Sequence, residues 1–302
     1  ISTSSISKSF AYCLVKEFLG SLIILTSASR SSSSSVAIIG RRPTNSGIKP
    51  NLTRSSGSTL RSASPTCLLI ETGDRLILVD TGMGNKQSDK FFSYYKPWGD
   101  DNLLDSITNA GFHPNDITDV LLTHLHFDHC GGCFTWNKDH TSFVPVFPNA
   151  DYWSNESHWQ WATNPNPREK ASFLDDNLRP IQESGRLRFI EKSKENPLGL
   201  ELLFVDGHTE KQMLPVLDWK GEKIVFMGDL IPTIGHIPVP FVMGYDVRPL
   251  QTLVEKAAFL DLAAEKGYFL FMEHDPNTPL IKVHQTEKGV RLQSSHQWNE
   301  FF

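Results

Sequence analysis

The sequence predicts a layered protein of the α/β (α+β) class. Helical and strand patterns alternate from residue 67 onwards, which is typical of domains in which helices cover sheets. Histidine and aspartate residues repeatedly stand just beyond the C-terminal end of a predicted strand. That edge is where sites form in layered α/β architectures. The 302 residues, 39% of them hydrophobic, suffice for one large domain with a sizeable core.

Residues 1–66 differ in composition from the rest of the chain. They carry eight basic residues and one acidic residue, a net charge of +7, so that residues 67–302 carry −12 of the chain's total of −5. SRSSSSS occupies 29–35, and little between residues 29 and 66 patterns as a strand or helix. EFLGSLIILTSASR after Lys16 has about the length of the apolar part of a signal peptide. Residues 1–66 therefore have three interpretations: a secretory leader, a disordered leader or a non-native N-terminus. A secretory leader would place the protein outside the cytoplasm.

The folded part begins with a predicted hairpin and a helix. CLLIETGDRLILVDTG indicates two strands, 67–71 and 75–79, joined by a Thr-Gly-Asp turn. LLDSITNAGF (103–112) predicts a short helix closed by Gly111. ITDVLLTH is then a buried strand that delivers His124 at its C-terminal end.

The later elements also end next to polar side chains. LELLFVDGHT predicts a strand that ends at His208, and QMLPVLDWKGEKIVFMGD predicts a hairpin with Asp229 just past it. RPLQTLVEKAAFLDLAAEKG has apolar residues with a helical period and ends at Gly267. YFLFMEHD is a strand that ends at His274.

The stretch THLHFDHCGG places three histidines and an aspartate within six positions. His124 and His126 point to the same side of an extended segment, because successive side chains alternate. Asp128 and His129 follow where the chain turns. Imidazole nitrogen with carboxylate oxygen suits Zn²⁺, with Mn²⁺ and Fe²⁺ as alternatives. A dense group of such ligands without sulfur favours an open, catalytic metal site over a closed, structural one.

The motif ends in Cys-Gly-Gly-Cys, residues 130–133. The two glycines would let the chain pass close to the metals or begin a tightly packed helix. A redox role for Cys130 and Cys133 is disfavoured, because the motif follows a metal cluster and does not open a thioredoxin-like helix. Two small buried thiols are the favoured interpretation.

Together with the downstream residues, this stretch resembles the signature of the metallo-β-lactamase superfamily. DGHT, MGDL and MEHD occur in the order that the superfamily uses, and LILVDTGMG resembles its Asp-Thr-Gly turn. The resemblance covers about residues 67–302. It implies that they form the catalytic domain, an αββα sandwich of two mixed β-sheets flanked by helices, with a two-metal site at one edge.

The resemblance also implies a role for each matching residue. The ligands of the first metal would be His124, His126 and His208. The ligands of the second metal would be Asp128, His129 and His274. Asp229 would bridge the two metals, and Asp80 would orient a ligand or loop from behind.

Two such metals imply a hydrolase. They would bind a bridging hydroxide and polarise a carbonyl or phosphoryl oxygen of the substrate. Asp128 would donate a proton to the leaving group, so Asp128 and Asp229 are the candidate catalytic residues. A non-catalytic metal-binding module on the same fold is the contrasting hypothesis, and the retention of every ligand disfavours it.

Within the superfamily, the sequence is similar to the quorum-quenching N-acyl-homoserine lactone lactonases and to methyl-parathion-hydrolase-like enzymes. FPNADYW and GHTEKQMLP resemble those enzymes. Opening of a lactone ring is the favoured function, and hydrolysis of organophosphates or aryl esters is the alternative. The negative charge of residues 67–302 disfavours nucleic acid as a partner. No apolar run reaches the roughly 18–20 residues that a bilayer span needs.

Three residues are weaker candidates for substrate contact. His236 follows Asp229 closely, Trp153 belongs to the aromatic stretch 152–161, and Tyr245 would steady a carbonyl oxygen. This stretch and FFSYYKPW (91–98) would cap an apolar substrate, form a homodimer contact or pack as helices on the sheets.

Overall fold

A computed structural model of the chain describes residues 22–23, 35–39, 66–95, 102–193 and 195–297. The strands are β1 (Leu22–Ile23), β2 (Ser35–Ile39), β3 (Leu68–Thr72), β4 (Arg75–Val79), β5 (Asp119–Leu121), β6 (Phe134–Trp136), β7 (Phe143–Pro145), β8 (Asp151–Ser154), β9 (Leu187–Phe189), β10 (Glu201–Val205), β11 (Gln212–Trp219), β12 (Glu222–Phe226), β13 (Phe269–Phe271), β14 (Leu280–Thr286) and β15 (Gly289–His296). The α-helices are α1 (Asp89–Tyr95), α2 (Leu103–Asn109), α3 (Phe127–Cys130), α4 (Glu156–Thr163), α5 (Asp175–Glu183) and α6 (Pro249–Lys266). Short 3₁₀ helices span Pro114–Asp116, Gly131–Cys133 and Ile234–His236.

The strands form two mixed sheets and a small hairpin. The first sheet has the order β1-β2-β3-β4-β5-β8-β9, the second has the order β10-β11-β12-β13-β14-β15, and β6 pairs with β7. Neighbours from β4 to β9 in the first sheet run parallel, as do β12 and β13 in the second. The remaining pairs are antiparallel. The predicted fold class, with two mixed sheets flanked by helices, is confirmed.

Alternate side chains of the strands fill three layers of core. Ile70 and Ile77 of the first sheet pack with Phe226 of the second, so one layer lies between the sheets. The other face of the first sheet, with Leu69, packs against α2, α4 and α5. The other face of the second sheet packs against α6, to which Leu260 belongs. The order of layers is therefore helix, sheet, sheet, helix.

Residues with positive φ explain the predicted turns. Gly73 (φ 60°) closes the β3–β4 hairpin, and Lys220 (φ 49°) with Gly221 (φ 85°) closes the β11–β12 hairpin, as a two-residue type I′ turn requires. Gly267 (φ 69°) ends α6 in the left-handed conformation. Helix α6, with 18 residues, is the longest of the described helices, and none of these is long and apolar enough to cross a membrane.

The first sheet extends into the segment where the sequence predicted little regular structure. Strand β2 pairs antiparallel with residues 68–71 of β3, and β1 pairs with β2. The sequence did not predict β2 because SVAII is one short run behind a row of serines, too short to show an alternating pattern. β2 covers the edge of β3 that would otherwise be unpaired.

The division of the chain at residue 66 stays a prediction, and the leader interpretations concern residues that lie mostly outside the described ranges.

The parallel pairs bring the candidate ligands to one edge. Asp80 directly follows β4, which runs parallel to β5, and His124 comes three residues after β5 ends. Asp229 and His274 each come three residues after the parallel strands β12 and β13. His208 stands at the same spacing after β10. The ends of five strands thus supply chemistry-bearing side chains.

Three glycines let two loops meet backbone to backbone beside this edge. A Cβ at Gly131 would lie 2.2 Å from the Met83 carbonyl oxygen, and one at Gly132 would lie 2.2 Å from that of Thr81. A Cβ at Gly84 would lie 2.3 Å from the Gly131 carbonyl oxygen. Gly131 and Gly132 therefore allow this close packing of the two loops, and passage of the chain close to the metals stays a prediction.

We expect Gly132→Ala to lower the free energy of unfolding by about 1–3 kcal/mol, the usual cost of overpacking. The new methyl group would meet a carbonyl oxygen of the loop that follows β4. Urea denaturation measures the change. Gly244→Ala is the control, because no described atom lies within 4 Å of a Cβ there and its φ is outside the left-handed region. Equal stability of the two variants would contradict the expectation.

Candidate metal centre

Seven polar side chains meet at the edge of the two sheets. One group of close ligand atoms comprises His124, His126, His208 and Asp229. A second group comprises Asp128, His129 and His274. The structure thus brings together every residue that the sequence predicted as a ligand, and their assignment to two metals stays a prediction.

Buried carboxylates determine which nitrogen of two histidines carries the proton. Asp246 Oδ1 lies 3.0 Å from His208 Nδ1, and Asp80 Oδ2 lies 2.9 Å from His129 Nδ1. Because a carboxylate only accepts hydrogen bonds, the imidazole nitrogen is the donor in both pairs. The Nε2 atoms of His208 and His129 are therefore the ones that face the centre.

The other two histidines of the motif obtain their tautomers from different partners. The Thr123 hydroxyl donates its only hydrogen to Asp80 Oδ2 at 2.6 Å, so it accepts from His124 Nδ1 at 3.1 Å. Glu169 Oε1 lies 3.3 Å from His126 Nε2 and accepts from it. The free nitrogens are thus Nε2 of His124 and Nδ1 of His126.

Three ring nitrogens of the first group converge. His126 Nδ1 lies 3.0 Å from His124 Nε2 and 3.1 Å from His208 Nε2. Once the second proton of His208 is displaced, all three nitrogens offer lone pairs, which cannot hydrogen-bond to one another but which a divalent cation accepts together. In the second group, His129 Nε2 and His274 Nε2 are 3.3 Å apart. The donor set of both groups therefore fits a metal.

Asp229 lies between the two groups. Its Oδ2 is 3.0 Å from His208 Nε2 and 3.5 Å from His129 Nε2, whereas its Oδ1 is 2.8 Å from His274 Nε2. Oδ1 is buried and has no hydrogen-bond partner in suitable geometry within the described residues. A carboxylate whose two oxygens reach both groups suits a bridging position.

The charge of Asp229 dominates the protonation of the centre. Burial lowers the pKa of His208 and His274, but Asp229 and a second buried carboxylate beside each ring outweigh it and raise both pKa values to about 9. Burial would raise the pKa of Asp229 itself, but the surrounding histidines hold it well below its usual range. Burial and the neighbouring imidazoles place the pKa of His124 well below its usual value.

Asp128 is the most exposed of the candidate ligands. Its side chain is 29% exposed, and its Oδ1 lies 3.8 Å from His129 Nε2. The preceding ring, Phe127, packs on Phe91 and Tyr95 of α1, with centroids 5.2 and 4.8 Å apart. We call Phe91, Tyr95 and Phe127 the aromatic wall. Asp128 directly follows Phe127 of this wall and belongs to the second ligand group.

Two of the weaker substrate candidates lie near the centre. Burial and Lys256 lower the pKa of His236, and the charge of Asp229 also acts on that ring. Tyr245 is 70% exposed in the loop that precedes α6. Burial, then Asp128, then Tyr245 raise the pKa of Tyr95. Substrate contact stays a prediction for both candidates.

Trp153 is not at the centre, which corrects the prediction for this residue. It is buried between the sheets (6% exposed), and its Nε1 donates to Asp119 Oδ1 at 2.8 Å. The same carboxylate accepts from Arg75 at 2.8 Å. Asp119 begins β5 and thus lies at the end of that strand away from His124. Both faces of β8 are buried, so its aromatic side chains fill core and do not reach the site.

Three carboxylates at the centre were not predicted from the sequence. Glu169 and Asp246 contact His126 and His208 as described above, and no motif marks the loops that carry them. Glu273 Oε1 lies 3.3 Å from His129 Nδ1, and burial raises the pKa of this acid to about 7. Its position beside His274 in MEHD was the available signal.

The two cysteines of the motif are buried beside the centre. Burial raises the pKa of both thiols, that of Cys133 to about 12. Both are therefore protonated at neutral pH, and a thiolate is what a redox or ligand role needs. The structure agrees with the interpretation of Cys130 and Cys133 as small core side chains.

Comparisons with known proteins agree with this geometry. The metallo-beta-lactamase superfamily pattern matches residues 63–274, a region that contains all seven candidate ligands. An N-acyl homoserine lactonase of Bacillus cereus is 26% identical over 234 residues, 69% of this chain and 85% of that protein. A probable metal-dependent hydrolase from Staphylococcus aureus has a similar structure, with a TM-score of 0.67 and 26% identity over 77% of this chain and 83% of that one. AidC, a dizinc quorum-quenching lactonase in complex with a product, gives a TM-score of 0.64 and 25% identity over 78% of this chain and 80% of that one.

The affinity for divalent metal is expected to rise with pH. His208 and His274 have a pKa of about 9, so below pH 9 each holds a proton that a cation must displace. Between pH 6 and 8, each displaced proton should make the affinity for the metal increase by up to about tenfold per pH unit. Calorimetric titration of chelator-treated protein, in buffers of different ionisation enthalpy, measures the affinity and the protons released. An affinity that is constant over this range, without proton release, would contradict the expectation.

Proposed function

Since the chain belongs to the metallo-beta-lactamase superfamily, we propose that it opens the lactone ring of N-acyl-homoserine lactones. It is a metal-dependent hydrolase, as its family and its relatives indicate. The observation that carries the narrower proposal is the position of Asp128, which belongs to the second ligand group and directly follows Phe127 of the aromatic wall. The similarity to a Bacillus cereus lactonase and to a dizinc lactonase supports it.

The proposed cofactors are two divalent cations, with Zn²⁺ as the first choice and Mn²⁺ or Fe²⁺ as alternatives. The proposed ligands of the first are His124, His126 and His208. The proposed ligands of the second are Asp128, His129 and His274, with Asp229 shared between both. When bound, such cations supply an activated water and polarise a carbonyl oxygen.

Asp128 is proposed as the proton donor. Its carboxyl group is partly exposed, unlike the carboxylates buried behind the histidines. Asp128 takes a proton from the attacking water. When the ester bond of the lactone breaks, the ring oxygen leaves as an alkoxide and receives that proton from Asp128. The acyl carbon keeps the oxygen of the attacking water, so the product is a hydroxy acid. Asp229 keeps the histidines around it in place through its two oxygens.

The aromatic wall suits the apolar part of the proposed substrate. Phe91, Tyr95 and Phe127 are only half-buried although their rings pack together, and Tyr245 is exposed. Aromatic surface beside a polar centre matches a molecule with a polar ring and an apolar acyl chain. The chain is proposed to lie along the wall while the lactone carbonyl faces the ligand groups.

A hydrolysis panel tests the substrate class. We expect acyl-homoserine lactones to give a higher kcat/KM than an aryl ester, a phosphotriester or a β-lactam, with protein loaded with Zn²⁺ or Mn²⁺. Asp229→Ala and His126→Ala, purified in parallel, should fall to the background rate because each removes a ligand of the first group. A phosphotriester or aryl ester as the best substrate would reject lactone opening in favour of the alternative hydrolase.

Phe91→Ala tests the role of the aromatic wall. We expect the ratio of kcat/KM for a decanoyl over a butanoyl lactone to fall about tenfold, since each buried methylene contributes ~0.8 kcal/mol. Tyr94→Ala is the matched control, because Tyr94 lies on the same helix but is 70% exposed and outside the wall. If both lactones lose activity equally in Phe91→Ala, the acyl chain does not lie on this wall.

A further inference from the structure

Glu169 is a buried carboxylate in the loop between α4 and α5. Its side chain is 2% exposed. Oε1 lies 3.3 Å from His126 Nε2, and Oε2 accepts from Trp161 Nε1 at 2.7 Å and from Asn166 Nδ2 at 2.6 Å. We infer that Glu169 is a positioning residue, which holds the proton of His126 on Nε2 and so keeps Nδ1 free to bind metal. This inference rests on the ligand set of the proposed function.

His126 needs such a partner because of the nitrogen that it presents. His124 and His208 present Nε2 to the shared point of the first group, whereas His126 presents Nδ1. The acceptors of the first two histidines therefore stand at Nδ1, and the acceptor of His126 must stand at Nε2. Glu169 occupies that place, and a carboxylate cannot donate a proton in the opposite direction.

The hydrogen bonds around Glu169 keep it an acceptor. His126 donates to Oε1, and Trp161 and Asn166 donate to Oε2. The Asn166 Oδ1 atom also accepts from the Glu169 backbone N–H at 3.2 Å. Both oxygens of the carboxylate therefore have assigned donors.

The loop that carries Glu169 is anchored on two sides of the centre. Arg168 donates to the carbonyl oxygens of Gly244 at 2.7 Å and Asp246 at 3.0 Å. The Phe127 N–H donates to the Ser172 carbonyl oxygen at 2.9 Å. The same loop is therefore fixed to the segment behind His208 and to the helix that bears Asp128 and His129. This anchoring sets where the Glu169 carboxylate lies relative to His126.

Replacement of the Glu169 carboxylate by an amide should reverse the direction of the hydrogen bond to His126. In Glu169→Gln the amide oxygen is required at the Oε2 position, because Trp161 and Asn166 both donate there. The amide nitrogen then faces His126 Nε2 and donates to it, which moves the imidazole proton to Nδ1. That proton would point at the place shared with His124 and His208. We expect about 10- to 100-fold weaker binding of one metal ion, the usual effect of losing such a supporting group.

The test reads the tautomer and the metal affinity separately. Long-range ¹H–¹⁵N NMR on chelator-treated, histidine-labelled protein should show His126 protonated at Nε2 in the wild type and at Nδ1 in Glu169→Gln. Competition with a chelator, using Zn²⁺ as the probe, should show the loss of affinity in that variant. Trp161→Phe is the matched control, because it removes a donor to Oε2 but leaves Oε1 facing His126, so tautomer and affinity should stay as in the wild type.

The outcomes separate this inference from the proposed function. A wild-type protein with His126 protonated at Nδ1, or Glu169→Gln with an unchanged tautomer and affinity, overturns the inference and leaves the ligand set intact. A wild-type protein that binds no Zn²⁺ rejects the ligand set, while its tautomer still decides the role of Glu169. Should Glu169→Gln fail to fold, Glu169→Asp retains an acceptor and must keep the Nε2 proton.

Discussion

A buried group that accepts the proton of one imidazole nitrogen fixes which nitrogen of that histidine offers its lone pair to a cation. Asp80, Glu169 and Asp246 accept from three of the histidines. Burial of a carboxylate is unfavourable unless hydrogen bonds compensate for lost hydration, and the imidazoles supply part of that compensation. Ligands and acceptors therefore stabilise one another, and removal of either member exposes the other to the full cost of its burial.

The strand ends provide the backbone support that this arrangement needs. Asp80, with φ 57° directly after β4, accepts from the backbone and the hydroxyl of Thr123 and so joins the ends of β4 and β5. On the second sheet, the Glu255 carboxylate of α6 accepts from the N–H groups of Asp206 and Gly207 at 2.9 Å each, just before His208. In both sheets a carboxylate thus holds the turn from which a candidate ligand projects.

The sequence predicted the features that local signals encode. The hairpin turns follow from the placement of glycines. The meeting of His124, His208 and His274 at one centre follows from the resemblance in motif order. The sequence could not predict that Trp153 lies in the core, because a strand buried on both faces shows no alternation that distinguishes core positions from site positions. Glu169 was not predicted because its role comes from a loop folding back over His126, a contact between residues 43 positions apart. The short β2 was missed because it pairs with β3 across about 30 residues without a pattern of its own.

The order of the sheets along the chain has a consequence for biosynthesis. Every strand of the first sheet precedes residue 190, and every strand of the second follows residue 200. Four candidate ligands, from His124 to His129, belong to the earlier length of chain, and His208, Asp229 and His274 belong to the later one. A nascent chain therefore emerges from the ribosome with a half-set of ligands, and domains form from the N-terminus as they emerge. A cation can therefore be bound by the full set of candidate ligands only after the second sheet has been synthesised and has packed onto the first.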